Sequence, residues 1–353
     1  MCRTPFSIRG FGTPEGPIRG LRTRLPSSDG QVIVVRETGD GAVTLGAVCM
    51  TVQHDKAANL RRIRDFIDEA ASKRVDLLVF PEMCVQGYLR HWREAGYQSP
   101  IVLEQIDYYL ETAEPVPGPT VEMIAALART HSMYIQFGMA EINQPGTIMH
   151  NAAVLVGPDG LVGVFRKVHA AFERPLFKPG TVFSVFETRL GRIGPLICAD
   201  LDYPETLRCI AIGGASLATM STAYPMASSE GDPESDYQTY LYRIEATAQA
   251  AMNQLWILQS NQVGRSDAPG SARYFGNSRI VSPWGKVVAE CHYAEALVTA
   301  TVDLAGEVRA VRRRHNRLAD RRPEVYGFLV TEDGVPTGAH LKDGKLPAMK
   351  SGL

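Results

Sequence analysis

The sequence predicts an α/β fold with helices layered on β-sheets, and three observations lead there. A buried strand, an amphipathic helix and a second buried strand succeed one another between Val43 and Phe80, the order from which α/β layers are built. Two hairpins follow, Asn151 to Arg166 around Gly157-Pro158-Asp159-Gly160 and Asn277 to Glu290 around Pro283-Trp284-Gly285. The 353 residues, 45% hydrophobic and 21% charged, can fill the core of one large domain or two ordinary ones.

Residues 1 to 43 are rich in Gly, Pro and Arg and show no period before Gln31–Val35, so a loosely ordered N-terminal extension is expected. The Arg-rich start lacks the Ser-rich amphipathic character of a transit peptide. Val43 to Val52 reads as the first buried strand. Asp55 suits the N-cap of a helix in which Leu60, Ile63, Phe66, Ile67 and Ala70 recur at helical spacing. Val75 to Phe80 is the next strand, stopped by Pro81. Residues 90–117 read as an irregular insertion at the entrance to a site. Pro119 opens a helix carrying Val121, Ile124, Ala125 and Ala128, and Ser132 to Glu141 is the strand after it. Asn151 to Val156 and Leu161 to Arg166 form the first hairpin. The apolar run up to Ile197 is a buried strand, and Pro204-Glu205 then opens a helix that includes Arg208 to Ile212. Ala215 to Ser221 and Leu255 to Gln259 are strands, separated by a helix marked by Tyr237, Leu241, Ile244, Ala248 and Ala251. Ala296 to Asp303 is the last clear strand. The basic run of Arg309, Arg312, Arg313, Arg314 and Arg317 reads as a solvated helix end or a subunit contact. Residues 331–353 read as a tail.

A formal net charge of -1 leaves no footprint for nucleic acid or an anionic membrane. Cys2, Cys49, Cys84, Cys198, Cys209 and Cys291 form no CxxC pair, which supports neither a zinc site nor a disulfide framework and points to a cytoplasmic location. No run approaches the ~18 apolar residues of a membrane span.

Three stretches place reactive side chains at strand ends. Leu77-Leu78-Val79-Phe80-Pro81-Glu82 delivers a carboxylate, Val164-Phe165-Arg166-Lys167-Val168-His169 a lysine, and Gly191 to Cys198 a lone thiol before a turn that opens a helix. Backbone N–H groups and the helix dipole at such a junction lower a thiol pKa. The carboxylate also has an ordinary reading as a surface group at a strand end, and the thiol as a small core cysteine.

In this order and spacing, the glutamate after FPE, the lysine in an RKxH context and the cysteine in an ICxD context resemble the nitrilase, or carbon–nitrogen hydrolase, superfamily across roughly residues 44–330. The resemblance implies a four-layer αββα sandwich, two mixed β-sheets flanked by helices, with halves related by a pseudo-two-fold axis. The two hairpin sequences read as relics of one repeated unit. It implies a catalytic domain at 44–330 and a homodimer or larger homo-oligomer. Glu82 would be the base, Cys198 the nucleophile, and Lys167 with the backbone N–H of Ala199 the oxyanion hole. Glu173, before the turn Phe177-Lys178-Pro179-Gly180, matches a second glutamate of the family, and its ordinary reading is a solvated loop carboxylate. Tyr88, Asp202, Tyr224 and Met226 are pocket candidates, with plain packing as the other reading of Tyr224 and Met226. For His169 a structural hydrogen bond is expected. This chemistry calls for no metal and no organic cofactor.

Nitrile-cleaving branches follow the cysteine with Trp-Glu, where this chain has Ala199-Asp200. N-carbamoyl amino acid hydrolases place paired arginines where Leu201 and Asp202 stand. Aliphatic amidases carry a stretch close to Cys198–Glu205. The expected activity is therefore hydrolysis of a small linear, uncharged or cationic amide to carboxylate and ammonia through a thioester. The alternative is an N-carbamoyl amide hydrolase releasing carbon dioxide and ammonia, which the closing stretch Asp320–Gly327 also suits. A catalytically silent scaffold is the reading from another class, and the presence of all three reactive side chains argues against it.

Overall fold

The computed structural model describes residues 41–330 except 89–98, 144–145, 147, 171–172, 174–175 and 266–271, together with a short antiparallel pair, Arg22–Thr23 with Val34–Val35. The rest of the expected N-terminal extension and the tail at 331–353 lie outside the described residues.

In chain order the elements are β1 (Val43–Cys49), α1 (Lys56–Ser72), β2 (Leu77–Val79), α2 (Pro100–Thr112), α3 (Pro119–His131), β3 (Tyr134–Ile142), β4 (Met149–Gly157) and β5 (Gly160–Arg166). Then come β6 (Phe186–Thr188), β7 (Gly191–Ile197), a 3-10 turn at Cys198–Asp202, α4 (Pro204–Ile212), β8 (Leu217–Thr222), α5 (Tyr237–Asn253) and β9 (Trp256–Asn261). A ribbon of β10 (Val263–Arg265) and β11 (Arg273–Phe275) leads to β12 (Arg279–Val281), β13 (Val287–Glu290), β14 (Ala296–Val302) and α6 (Leu304–Arg314).

The strands form two six-stranded sheets, ordered β5-β4-β3-β2-β1-β14 and β13-β12-β9-β8-β7-β6. Both read in the same sequence of pairings: antiparallel, antiparallel, parallel, parallel, antiparallel. The hairpins β4–β5 and β12–β13 thus occupy equivalent places in the two sheets.

Side chains alternate between the faces of a strand, and that alternation sorts the core into layers. Leu78 and Phe80 point outward to Ile63, Phe66 and Ile67 of α1 and Val121, Ile124 and Ala128 of α3. Leu77 and Val79 point inward, with Leu45 and Ala47, against Ile193, Leu217, Trp256 and Leu258 of the second sheet. On that sheet's far face Leu196, Ala218, Met220 and Ile257 meet Leu207 and Ile210 of α4 and Tyr242, Ala246 and Ala250 of α5. Helix, sheet, sheet, helix is the αββα sandwich that the resemblance implied. Burying each large side chain contributes ~1.5–3 kcal/mol.

Helix α1 starts where expected, because the Asp55 side chain accepts from Ala58 N at 2.9 Å. The reading of residues 90–117 as wholly irregular needs correction. Residues 100–112 are helix α2, opened by Pro100 and packed through Val102, Gln105 and Tyr109. The basic run lies on and just beyond α6, with Arg309, Arg313 and Arg314 exposed.

Candidate active site

Strand direction decides what meets where. β1, β2, β3 and β5 run the same way, so the carboxyl ends of β2 and β5 and the start of β4 share one end of the first sheet. The carboxyl ends of the parallel strands β7 and β8 open at one end of the second sheet. A parallel bridge between Met50 and Gln262 ties the two sheets there.

Glu82 stands just past β2 and is fully buried. Its backbone is held from the second sheet: Glu82 N donates to Thr222 O at 3.3 Å and Gln262 Nε2 donates to Glu82 O at 2.8 Å. Two residues earlier, Ser221 Oγ donates to Phe80 O at 2.8 Å. The turn also leans on Gly138 of β3, where a Cβ would sit 2.4 Å from Met83 N and 2.8 Å from Glu82 Cα. Lys167 follows β5, donating its N–H to Asn151 O at 2.9 Å and accepting from Gly180 N at 2.7 Å.

Cys198 follows β7 and begins the 3-10 turn with φ of +45°, a left-handed backbone in a non-glycine residue that costs on the order of 1–2 kcal/mol. The fully buried Asp200 supports this turn. Its carboxylate accepts from Ile197 N at 3.2 Å and from His169 N at 2.9 Å, and it lies 2.8 Å from His169 Nδ1. The His169 ring stacks on Tyr203 with centroids 3.8 Å apart. The expected structural hydrogen bond of His169 therefore clamps the lysine loop to the cysteine turn.

Four of the expected residues form one hydrogen-bonded group. Lys167 Nζ donates to Glu82 Oε1 at 2.7 Å and to Glu173 Oε1 at 2.5 Å, and Tyr88 Oη donates to Glu173 Oε1 at 2.5 Å. Asn151 Nδ2 donates to Glu82 Oε1 at 2.8 Å and to Glu173 Oε2 at 3.0 Å. Glu173 is 2% exposed, which removes its reading as a solvated loop carboxylate. Cys198 is 4% exposed, and its thiol lies against the Glu82 carboxylate and favours that group's ionised form.

Burial pushes the Glu82 carboxyl above its ordinary range, opposed by the Lys167 charge and reinforced by that of Glu173. Burial alone would pull the Lys167 ammonium down, but the carboxylates of Glu173 and Glu82 hold it well above the usual lysine range. The lysine is therefore a permanent cation, and the raised carboxyl is the group able to take up and return protons.

Tyr224 and Asp202 form the next wall. Tyr224 Oη donates to Asp202 Oδ1 and sits 3.4 Å from Cys198 O. Met226 packs in the same apolar cluster as Cys198 and Tyr224, and Ala199 follows the cysteine in the 3-10 turn. Glu245 of α5 adds a second carboxylate beside Asp202. Burial and then the Asp202 charge push it up to about 8. Sequence alone assigns no role to Asn151, Gln262 or Glu245, and shows Asp200 as part of the ICxD motif without its contacts. Among the described residues no group of three or more His, Cys, Asp or Glu side chains is arranged to hold a metal ion, and no helix is long and apolar enough to cross a membrane.

Residues 43–313 match the carbon-nitrogen hydrolase family. An (R)-stereoselective amidase from a Pseudomonas species is 32% identical over 274 residues, 77% of this chain and 89% of that protein. The N-carbamoylputrescine amidase of Arabidopsis thaliana is 26% identical over 306 residues, 83% of this chain and 96% of that protein. In three dimensions the carbon-nitrogen hydrolase of Helicobacter pylori G27 superposes with a TM-score of 0.68 at 23% identity, covering 82% of this chain and 99% of that one. With sequence agreeing over most of its length and the fold over the whole of that neighbour but 1%, the chain belongs to the carbon–nitrogen hydrolase family.

Proposed function

We propose that the protein is a cysteine-dependent amidase that hydrolyses small, linear, non-peptide amides to a carboxylate and ammonia through a thioester on Cys198. The observation that carries this reading is the Glu82 carboxylate, buried between a permanent lysine cation and the Cys198 thiol. Glu82 takes the thiol proton as Sγ attacks the amide carbon. The carbonyl electron pair moves to oxygen, where Lys167 Nζ and the backbone N–H of Ala199 receive the charge. Glu82 returns the proton to nitrogen, the C–N bond breaks and ammonia leaves. Water then attacks the thioester, giving a proton to Glu82; the C–S bond breaks, the sulfur regains its proton, and the acid departs. Glu173 keeps Lys167 in place and orients the leaving NH₂.

Asp202, linked through Tyr224 to the Cys198 backbone, repels a carboxylate on the acyl part, which supports uncharged or cationic amides. The likeness to a plant N-carbamoylputrescine amidase favours a second reading, hydrolysis of an N-carbamoyl amine to amine, carbon dioxide and ammonia.

Wild type and Cys198→Ala are incubated with simple amides and N-carbamoyl compounds while ammonia and carbon dioxide are measured together. Ammonia alone from wild type, abolished in a folded Cys198→Ala, is the expected outcome. Equimolar carbon dioxide moves the assignment to the second reading. Absence of both products across the panel raises the silent scaffold. Lys167→Ala, which removes an oxyanion donor, is expected to lower kcat at least ~10²-fold.

A further inference from the structure

Asn151 closes a ring of hydrogen bonds whose geometry goes beyond the Glu82, Lys167 and Cys198 roles. Lys167 Nζ and Asn151 Nδ2 each bridge the same two carboxylates, at 2.7 and 2.5 Å for the lysine and 2.8 and 3.0 Å for the asparagine. Carboxylates only accept, so the amide must turn its NH₂ toward both, which fixes the side-chain flip. Both donors to Glu82 converge on Oε1. Oε2 accepts from neither of them and is buried without a hydrogen-bond partner among the described residues, while the Cys198 thiol lies against the same carboxylate. Asn151 is 1% exposed and is carried by β4, which is paired on both sides, by β3 and β5, so the sheet fixes its backbone.

We infer that Asn151 is a positioning residue for the base, setting the rotation of the Glu82 carboxylate so that Oε2 faces Cys198. The inference rests on the proposed role of Glu82 as the base for that thiol. A neutral donor on Oε1 also favours the ionised carboxylate, so removing it makes Glu82 harder to ionise. Lys167 alone leaves the carboxylate one anchor, about which it swings.

The test compares wild type, Asn151→Ala and the isosteric Asn151→Asp, each first checked for fold by circular dichroism. The pH dependence of kcat/KM is measured on an amide that wild type turns over. The pH dependence of Cys198 alkylation by iodoacetamide, followed on its own peptide by mass spectrometry, is measured in parallel and needs no substrate. In Asn151→Ala the expected results are kcat down ~10–100-fold, KM nearly unchanged, and the acid limb of both profiles moved up by about one pH unit, the worth of one hydrogen bond to a charge. In Asn151→Asp, which keeps the volume but adds a like charge, the limb moves further in the same direction. Acid limbs unmoved in both variants, whether activity is kept or lost evenly at every pH, overturn the proposal. If wild type turns over no amide, the amidase reading fails, and the alkylation profile still decides the role of Asn151. Should Asn151→Ala not fold, the Asp variant carries the test.

Discussion

Glu245 shows how one side chain near the site links chemistry to stability. Its carboxyl stands at about 8 in the folded protein, raised by burial and then by Asp202, against ~4.3 in an unfolded chain. The folded protein therefore keeps a proton that the unfolded chain has lost between about pH 4.3 and pH 8, and stability falls as pH rises through that window. Above it the whole penalty is present; below it there is none. Glu245→Gln removes the titration, so the melting temperature is expected to exceed that of wild type at pH 8.5 and to equal it near pH 4. An equal gain at both pH values would sink this account. At the same scale, legibility in the sequence depended on distance along the chain. Glu82, Lys167 and Cys198 each end a strand inside a short motif and could be read locally. Asn151 has partners 69 and 22 residues away, and nothing near it in sequence announces them.

Among the elements, the strands and most helices were readable because one face is apolar at a regular period. Helix α2 was not. Its buried stripe of Val102, Gln105 and Tyr109 includes a polar residue, while Leu103 and Leu110 are each 49% exposed, so the pattern is blurred at both ends of the scale. The Phe177–Gly180 turn shows the opposite case, a glycine whose purpose only packing reveals. A Cβ on Gly180 would sit 2.2 Å from Arg166 O, immediately before Lys167, and Gly180 N already donates to Lys167 O. Backbone meets backbone there, so no rotamer change can relieve the clash. Gly180→Ala is expected to fold with a lower melting temperature and to lose kcat by ~10²-fold, the effect of displacing a positioned group by about an ångström. Wild-type kcat in that variant would mean that the turn can shift without moving the lysine.

At the scale of the whole molecule, the site exists because two sheets of matched topology pack face to face with their reactive ends together. The halves could be inferred from the two hairpins, but the polar seam between them could not, since an isolated Gln136 or Thr219 in a strand gives no sign of its partner. Gln136 of the first sheet is fully buried, donating to Ser221 Oγ at 3.0 Å and accepting from Thr219 Oγ1 at 2.5 Å. Ser221 in turn holds Phe80 O, so the seam reaches the backbone that carries Glu82. Gln136→Leu strands a buried Thr219 hydroxyl, at a cost of ~1–3 kcal/mol. Thr219→Val alone strands the amide oxygen at a similar cost. Removing both partners together leaves an apolar contact of nearly the same shape, so the double variant is expected to be less destabilised than the sum of the singles by ~1 kcal/mol or more. Denaturant midpoints of the four proteins measure this directly. Strict additivity would mean that the hydrogen bond contributes nothing to holding the sheets in register. A coupling of the expected sign accompanied by lowered kcat in Gln136→Leu would mean that the bond that joins the halves also steadies the base.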